Sequence, residues 1–108
     1  MSNVYYKGTD IKVQVTVKAS GFDQSSDAYT VDLYCGNNKV RTYSSTKAGD
    51  IVADGNGGFF IPLSTSGLQS GVLTMVVTAY VPDMDFPNTH VRKEIAAPIK
   101  LGIINDII

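Results

Sequence analysis

Apolar and polar residues alternate along several short stretches of the chain, a pattern typical of β-strands that pack one face against a core. Residues 11–18, IKVQVTVK, place Ile or Val at every second position and Lys, Gln or Thr between them. Residues 29–35, YTVDLYC, alternate in the same way and end with Cys35 on the inward phase. Both segments predict strands with one wet face.

A hairpin is predicted after the second of these strands. Residues 36–38, Gly-Asn-Asn, tolerate positive φ and suit a tight turn. Residues 39–44 then form the returning strand, with Val40 against the core. In a regular hairpin Tyr34 and Tyr43 both point outward, so we expect two neighbouring tyrosines on the outer surface.

The longest strand-like run is residues 71–80, GVLTMVVTAY. Neither of its period-2 faces carries a charge. One face is entirely apolar, and its members are Leu73, Met75, Val77, Ala79 and Val81. The other face mixes Val with Thr and Tyr. A run of this kind predicts the central strand of an antiparallel sheet, flanked on both edges.

Shorter strand-like segments occur at residues 4–6, 51–52, 59–63, 90–95 and 99–103, between turns rich in Gly, Asn, Asp and Pro. Pro62 cannot donate a ladder hydrogen bond, so we expect the strand 59–63 to lie at an edge or to end there. No segment has the period of a helix. The sequence therefore predicts an all-β protein, an antiparallel immunoglobulin-like β-sandwich of about seven or eight strands.

The 108 residues suffice for one core, and we expect a domain over residues 1–100 followed by an apolar C-terminal tail over residues 101–108. Five of the eight tail residues, LGIINDII, are Leu or Ile. The tail therefore needs burial, as the last strand, in a following element or in a neighbouring chain. The predicted interaction surface combines the tail with the outward tyrosines and consists of Leu101, Ile103, Ile104, Ile107, Ile108, Tyr34 and Tyr43.

Composition and charge argue against several classes of function. Nine Lys and Arg and ten Asp and Glu are scattered along the chain and give a formal net charge of -1, without a basic stripe for nucleic acid. No apolar run reaches the roughly 18 residues of a membrane span, and the N-terminus lacks the features of a signal peptide. We expect protein partners, no nucleic acid and no membrane. We also expect synthesis in the cytoplasm, with the cell envelope as the alternative if a signal peptide was removed.

No catalytic residue is predicted. A nucleophilic Cys35 would need an activating base, and the single histidine, His90, lies far away in a turn-rich segment. Asp83 and Asp85 could act as a pair of carboxylates, but the prolines around them favour a loop in which Asp caps turns.

No metal or cofactor is predicted either. Asp54 with Asn56, and Asp83 with Asp85, have the spacing seen at the start of Ca²⁺ loops. The closing glutamate of such a loop is missing, because the chain has a single Glu at position 94. We therefore interpret all four residues as turn residues.

Two stretches carry a family resemblance. Residues 7–11, KGTDI, followed by an alternating strand, a polar loop and residues 29–33, YTVDL, resemble the immunoglobulin-like N-terminal domain of phage baseplate upper proteins. Residues 73–94, through VPDMDFP to RKE, are similar to small β-sandwich proteins in prophages of gut Bacteroides-type bacteria. The loop 21–28 departs from the baseplate pattern, in which a short apolar turn is usual. The resemblance implies a virion structural part that assembles by protein contacts and has no catalytic residues.

The leading hypothesis is a non-enzymatic structural module of a phage or prophage tail or baseplate, which functions as an oligomer. The alternative is a ligand- or carbohydrate-binding immunoglobulin-like module of a bacterial envelope protein. Tyr34 and Tyr43 would supply its aromatic platform.

Overall fold

The computed structural model describes residues 3–105, and all regular secondary structure in this range is β. The nine strands are β1 (Val4–Tyr6), β2 (Asp10–Val15), β3 (Tyr29–Cys35), β4 (Asn38–Ser44), β5 (Val52–Ala53), β6 (Phe59–Ser64), β7 (Gly71–Pro82), β8 (Val91–Ile95) and β9 (Ile99–Asn105). The all-β prediction is confirmed. The count is slightly above the predicted seven or eight, and two of the strands, β1 and β5, are only three and two residues long.

The strands form two sheets that pack as a β-sandwich. The larger sheet has the order β1-β9-β7-β3-β4, and its sixth strand, β8, also pairs with β7. The smaller sheet has the order β2-β6-β5. All pairings are antiparallel except that of β1 with β9, which is parallel.

β7 is the central strand of the larger sheet, as its sequence predicts. One edge of β7 pairs with β3, and the other edge pairs first with β9 and then with β8. Its inner face consists of residues that are at most 6% exposed, namely Leu73, Met75, Val77, Ala79 and Val81. The predicted division of this strand into two faces is therefore confirmed.

The core lies between the sheets and draws on both of them. The smaller sheet contributes Val15, Ile61 and Leu63, and the larger sheet contributes the inner residues of β3, β7 and β9. Tyr29 at the start of β3 is 1% exposed, and its ring and that of Phe22 form a T-shaped pair with a centroid distance of 6.1 Å. Each such side chain gains about 1.5–3 kcal/mol from burial, so this cluster provides the main driving force for folding.

Residues 101–105 of the predicted C-terminal tail belong to β9, the last strand of the larger sheet. Ile104 is 0% exposed and Leu101 packs against the core, whereas Ile103 is half-buried on the outer face. The assignment of Ile104 to an interaction surface is therefore wrong, because the side chain fills this domain's own interior. Ile107 and Ile108 lie outside the described residues.

Gly102 permits the close approach of β1 to β9. A Cβ atom at this position would lie 2.6 Å from the carbonyl oxygen of Asn3 and 2.8 Å from the ring of Tyr5. The same Asn3 oxygen accepts a hydrogen bond of 2.8 Å from the backbone N–H of Ile103. A side chain at position 102 would therefore displace the parallel strand.

Two sequence predictions are refined by the pairing of the strands. β6 lies between β2 and β5, so the strand 59–63 is central at Phe59 and Phe60 and is an edge only around Pro62. Pro62 is accommodated because β5 pairs only with Phe59 and Phe60, so no strand faces the proline nitrogen. Tyr43 does not point outward, because it pairs with the inward Val31 and packs against the core.

Replacing Ile104 with Ala should lower the free energy of unfolding by about 2–5 kcal/mol, because it leaves a cavity in the core. The matched control is Ile99→Ala on the same strand, where the side chain is 46% exposed and the expected loss is below about 1 kcal/mol. Urea unfolding of both variants measures the difference. A loss for Ile104→Ala no larger than that for Ile99→Ala would mean that Ile104 does not fill the core.

Candidate functional site

Asp54 organises the turn between β5 and β6. Its Oδ1 atom accepts hydrogen bonds from the backbone N–H of Asn56 at 2.7 Å and of Gly58 at 3.0 Å. The backbone N–H of Asp54 in turn donates to the carbonyl oxygen of Gly58 at 3.0 Å. Through these bonds the carboxylate stabilises the turn in which it lies, and Asp54 and Asn56 are turn residues as predicted.

Asp83 organises the loop between β7 and β8. Its carboxylate accepts a hydrogen bond of 3.0 Å from the backbone N–H of Asp85 and forms an ion pair of 2.6 Å with Arg92. The second guanidinium nitrogen of Arg92 donates to the carbonyl oxygen of Ser20 at 3.0 Å and lies 3.5 Å from the carboxylate of Glu94. The contact with Ser20 ties this loop to the loop between β2 and β3.

The electrostatics of this loop favour the charged carboxylate. The hydrogen bond from the Asp85 backbone, followed by the bond from Arg92, holds the pKa of Asp83 below its usual value. Asp23 in the neighbouring loop also has a lowered pKa, because the side chain and backbone of Ser25 donate hydrogen bonds to it. Both carboxylates thus stabilise turns at the same end of the sandwich.

The loop between β7 and β8 exposes two large apolar side chains. Met84 is 76% exposed and Phe86 is 44% exposed. The backbone beneath them is held by hydrogen bonds from Asp83 N–H to the His90 carbonyl oxygen, 2.9 Å, and from His90 N–H to the Phe86 carbonyl oxygen, 2.8 Å. His90 adopts a positive φ of 55°. The exposed apolar side chains of this loop therefore lie on a backbone that is held by hydrogen bonds.

Cys35 is buried at the opposite end of the sandwich from His90. The thiol is 8% exposed and donates to the carbonyl oxygen of Gln69 at 3.0 Å. Cys35 pairs with Leu73 near the start of β7, whereas His90 follows the end of this strand. About nine residues of extended strand, roughly 30 Å, separate the two ends, so His90 cannot activate this thiol.

The two predicted surface tyrosines are on opposite faces of the larger sheet. Tyr34 pairs with Lys39 and Thr74 on the outer face and lines a shallow depression of about 340 Å³. Asn37, Thr74 and Pro98 also line it. Tyr43 is on the inner face, so the structure does not combine the two rings into one platform.

Apolar side chains are exposed on the outer face of the larger sheet. Val4, Ile103 and Val72 are register partners on three adjacent strands, and Val4 and Val72 are 51% and 41% exposed. Ile95 on β8 pairs with the outward Thr78 and is 65% exposed. This outer apolar surface, formed by Val4, Val72, Ile95 and Ile103, includes one of the predicted interaction residues.

Two polar side chains that the sequence analysis did not single out connect distant segments. The Gln24 side chain accepts a bond of 3.0 Å from the Val17 N–H and donates one of 2.8 Å to the Val15 carbonyl oxygen. Arg41 donates to the carbonyl oxygens of Ser64 and, at 2.7 Å, Ser66, and so joins β4 to the smaller sheet. No local pattern in the sequence marks either residue.

Nowhere in residues 3–105 do three His, Cys, Asp or Glu side chains come together as a possible metal site. The same residues include no helix that is long and apolar enough to cross a membrane.

Comparisons of the chain with models of protein families, with curated proteins and with solved structures gave no match.

Replacing Asp83 with Asn should lower the melting temperature most at neutral pH. Because the folded-state pKa lies below the unfolded value of about 3.8, the carboxylate stabilises the fold above that pH. This contribution is lost as the pH falls through the lowered pKa. Calorimetry from neutral pH down to about pH 2 should show the wild-type and variant melting temperatures converging. The control is Asp85→Asn in the same loop, and a constant offset for Asp83→Asn would contradict the assignment.

Proposed function

We propose that the chain is a non-enzymatic structural module that assembles with other proteins in a phage or prophage tail or baseplate. The observation that carries the proposal is the outer apolar surface, where Val4, Ile103 and Val72 lie side by side on three strands, because neighbouring exposed apolar side chains mark sites of protein contact. The resemblance of residues 7–11 and 29–33 to phage baseplate proteins, and of residues 73–94 to small prophage β-sandwich proteins, supports the same role. Synthesis in the bacterial cytoplasm and incorporation into the virion form part of this proposal.

We further propose that the sandwich is immunoglobulin-like. The larger sheet places β9 next to β7 and β7 next to β3, and the smaller sheet places β6 between β2 and β5. An immunoglobulin sandwich has strands G, F and C in one sheet and B, E and D in the other. Equating β2, β3, β5, β6, β7 and β9 with B, C, D, E, F and G reproduces this order, which supports the proposal.

A second candidate function is carbohydrate or ligand binding in an envelope protein, and the depression beside Tyr34 favours it. An aromatic ring and an asparagine that line the same depression are suited to a sugar, since the ring can contact its apolar face and an amide its hydroxyl groups. The inward orientation of Tyr43 weakens this candidate, because one ring provides only a small platform. Binding to a glycan array that is abolished by Tyr34→Ala would favour it over assembly.

The assembly proposal predicts that the protein co-purifies with phage-like particles. Phage production is induced in the bacterium that encodes the chain, and the particles are isolated on a density gradient. The protein is then detected with an antibody raised against the purified domain. We expect the double variant Val72→Asp with Ile95→Asp to fold and to be absent from the particles, because the charges disrupt the outer apolar surface.

The control variant is Val40→Asp on β4, at the opposite edge of the larger sheet, where the side chain is as exposed as that of Val72, 41% in each case. It should be incorporated like the wild type. Recovery of all wild-type protein in the particle-free fractions would contradict the proposal.

A further inference from the structure

Within residues 3–105 several strand edges have no pairing partner, and the edge of β2 is the longest regular one among them. β2 pairs with β6 over six residues without a register shift, and it contains neither Pro nor Gly. The pairing of β4 has an irregularity between Leu33 and Tyr34, β8 has five residues, and β1 has three. The free part of β6 contains Pro62. A regular edge without proline is the kind that accepts another strand.

Several inward side chains of β2 and of the residues that follow it are incompletely covered. Ile11, Val13 and Val17 are only half-buried, although they pack against the core. The corresponding residues of the neighbouring strand β6, Ile61 and Leu63, are each 1% exposed. A strand beside β2 would complete the burial of its inner face.

The hydrogen-bonding groups along this edge can be assigned from the adjacent pairing. The backbone N–H of Thr65 donates to the carbonyl oxygen of its register partner Thr9 at 3.0 Å. Odd-numbered residues of β2 therefore bond to β6, and the N–H and C=O groups of even-numbered residues such as Lys12 and Gln14 point away from the sheet.

The side chain of Gln24 extends this regular edge beyond β2. It bonds to the N–H of Val17 and the C=O of Val15, on the side where β6 has already ended. Burial continues to alternate in Thr16, Val17 and Lys18, which are exposed, half-buried and exposed. β2 ends at Val15, but this alternation lets residues 16–18 continue its edge when a second strand pairs with it.

We propose that this edge pairs antiparallel with the same edge of a second copy, about a twofold axis at Gln14. The inference rests on the proposed assembly function and identifies one of its contacts. The two smaller sheets then form one continuous sheet across the axis, as in other isologous pairings of identical surfaces.

The charges favour this register over nearby registers that also place the inner faces of the two copies on the same side of the joined sheet. With Gln14 opposite Gln14, Asp10 of each copy faces Lys18 of the other, and Lys12 faces the neutral Thr16. Moving the axis to Lys12 places two lysines directly opposite each other. Moving it to Val15 places Lys12 opposite Lys18. Like charges directly opposite destabilise a strand pair, whereas opposite charges stabilise it.

The inner face of the same register is apolar throughout. Ile11 faces Val17 of the second copy, and Val13 faces Val15. These pairs continue the core across the axis and cover the side chains that are half-buried in one copy. Because the contact is confined to one strand from each copy, we expect a weak dimer with a Kd of about micromolar to millimolar.

The test is sedimentation velocity on the full chain and on two charge reversals, Asp10→Lys and Lys18→Asp, over a range of protein concentrations. Each reversal alone places two like-charged pairs across the axis and should weaken dimerisation by about tenfold or more. An equimolar mixture of the two variants should dimerise like the wild type, because both cross-strand pairs then have opposite charges again.

The control is Lys39→Asp on β4, which makes the same charge change away from the β2 edge and should leave dimerisation unchanged. Melting temperatures confirm that each variant is folded. If the mixture stays as dissociated as its components, or if the wild type is a monomer throughout, the β2 pairing is overturned. The proposed function is judged separately, by incorporation into particles.

Discussion

The pairing of β7 with three other strands is the contact on which the rest of the structure depends. β3 bonds to one edge of this strand, and β9 and β8 bond to the other. Without β7 these strands have no other connection within the larger sheet, because β4 and β1 pair only with β3 and β9. The inner face of β7, from Leu73 to Val81, also supplies one side of the core. The strand is long, uncharged and rich in β-branched residues, which suits a strand that pairs with others along both edges.

This arrangement determines what remains at the surface. The inner residues of β7 are used by the core, so any interaction surface must come from the outer face, the loops or the free edges. Val72 and Ile95 lie on the outer face, and Met84 and Phe86 lie on a loop held by Asp83 and Arg92. The edge of β2 is open because β1 pairs with β9 in the larger sheet and not with β2 in the smaller one. Each proposed contact therefore follows from how the sheets share their strands.

The alternation of residue types was sufficient to predict the all-β fold and the two faces of β7, because a strand has a strict period of two. The same rule failed for Tyr43. A regular hairpin would pair Tyr43 with the outward Thr30, but the irregularity between Leu33 and Tyr34 shifts the register by one residue. That shift turns Tyr43 inward and leaves Val40, which was predicted to face the core, 41% exposed.

Other features could not be predicted because they depend on contacts between distant segments. The bond from Arg92 to Ser20 spans 72 positions, and the contact of Arg41 with Ser64 joins the two sheets. Ile104 was assigned to an interaction surface because a run of Leu and Ile near the end of a chain has the same pattern whether it is a last strand or an exposed segment. Only the pairing of β9 with β1 and β7 distinguishes these cases.

The central role of β7 is tested most directly by hydrogen exchange of individual backbone amides, followed by NMR under native conditions. If β7 organises the fold, its amides and those of β3 exchange only through global unfolding, at a free energy equal to that from denaturant. The amides of β2, β5 and β8 should exchange through smaller openings. Exchange of the β7 amides at a lower free energy than those of β2 and β6 would contradict the account.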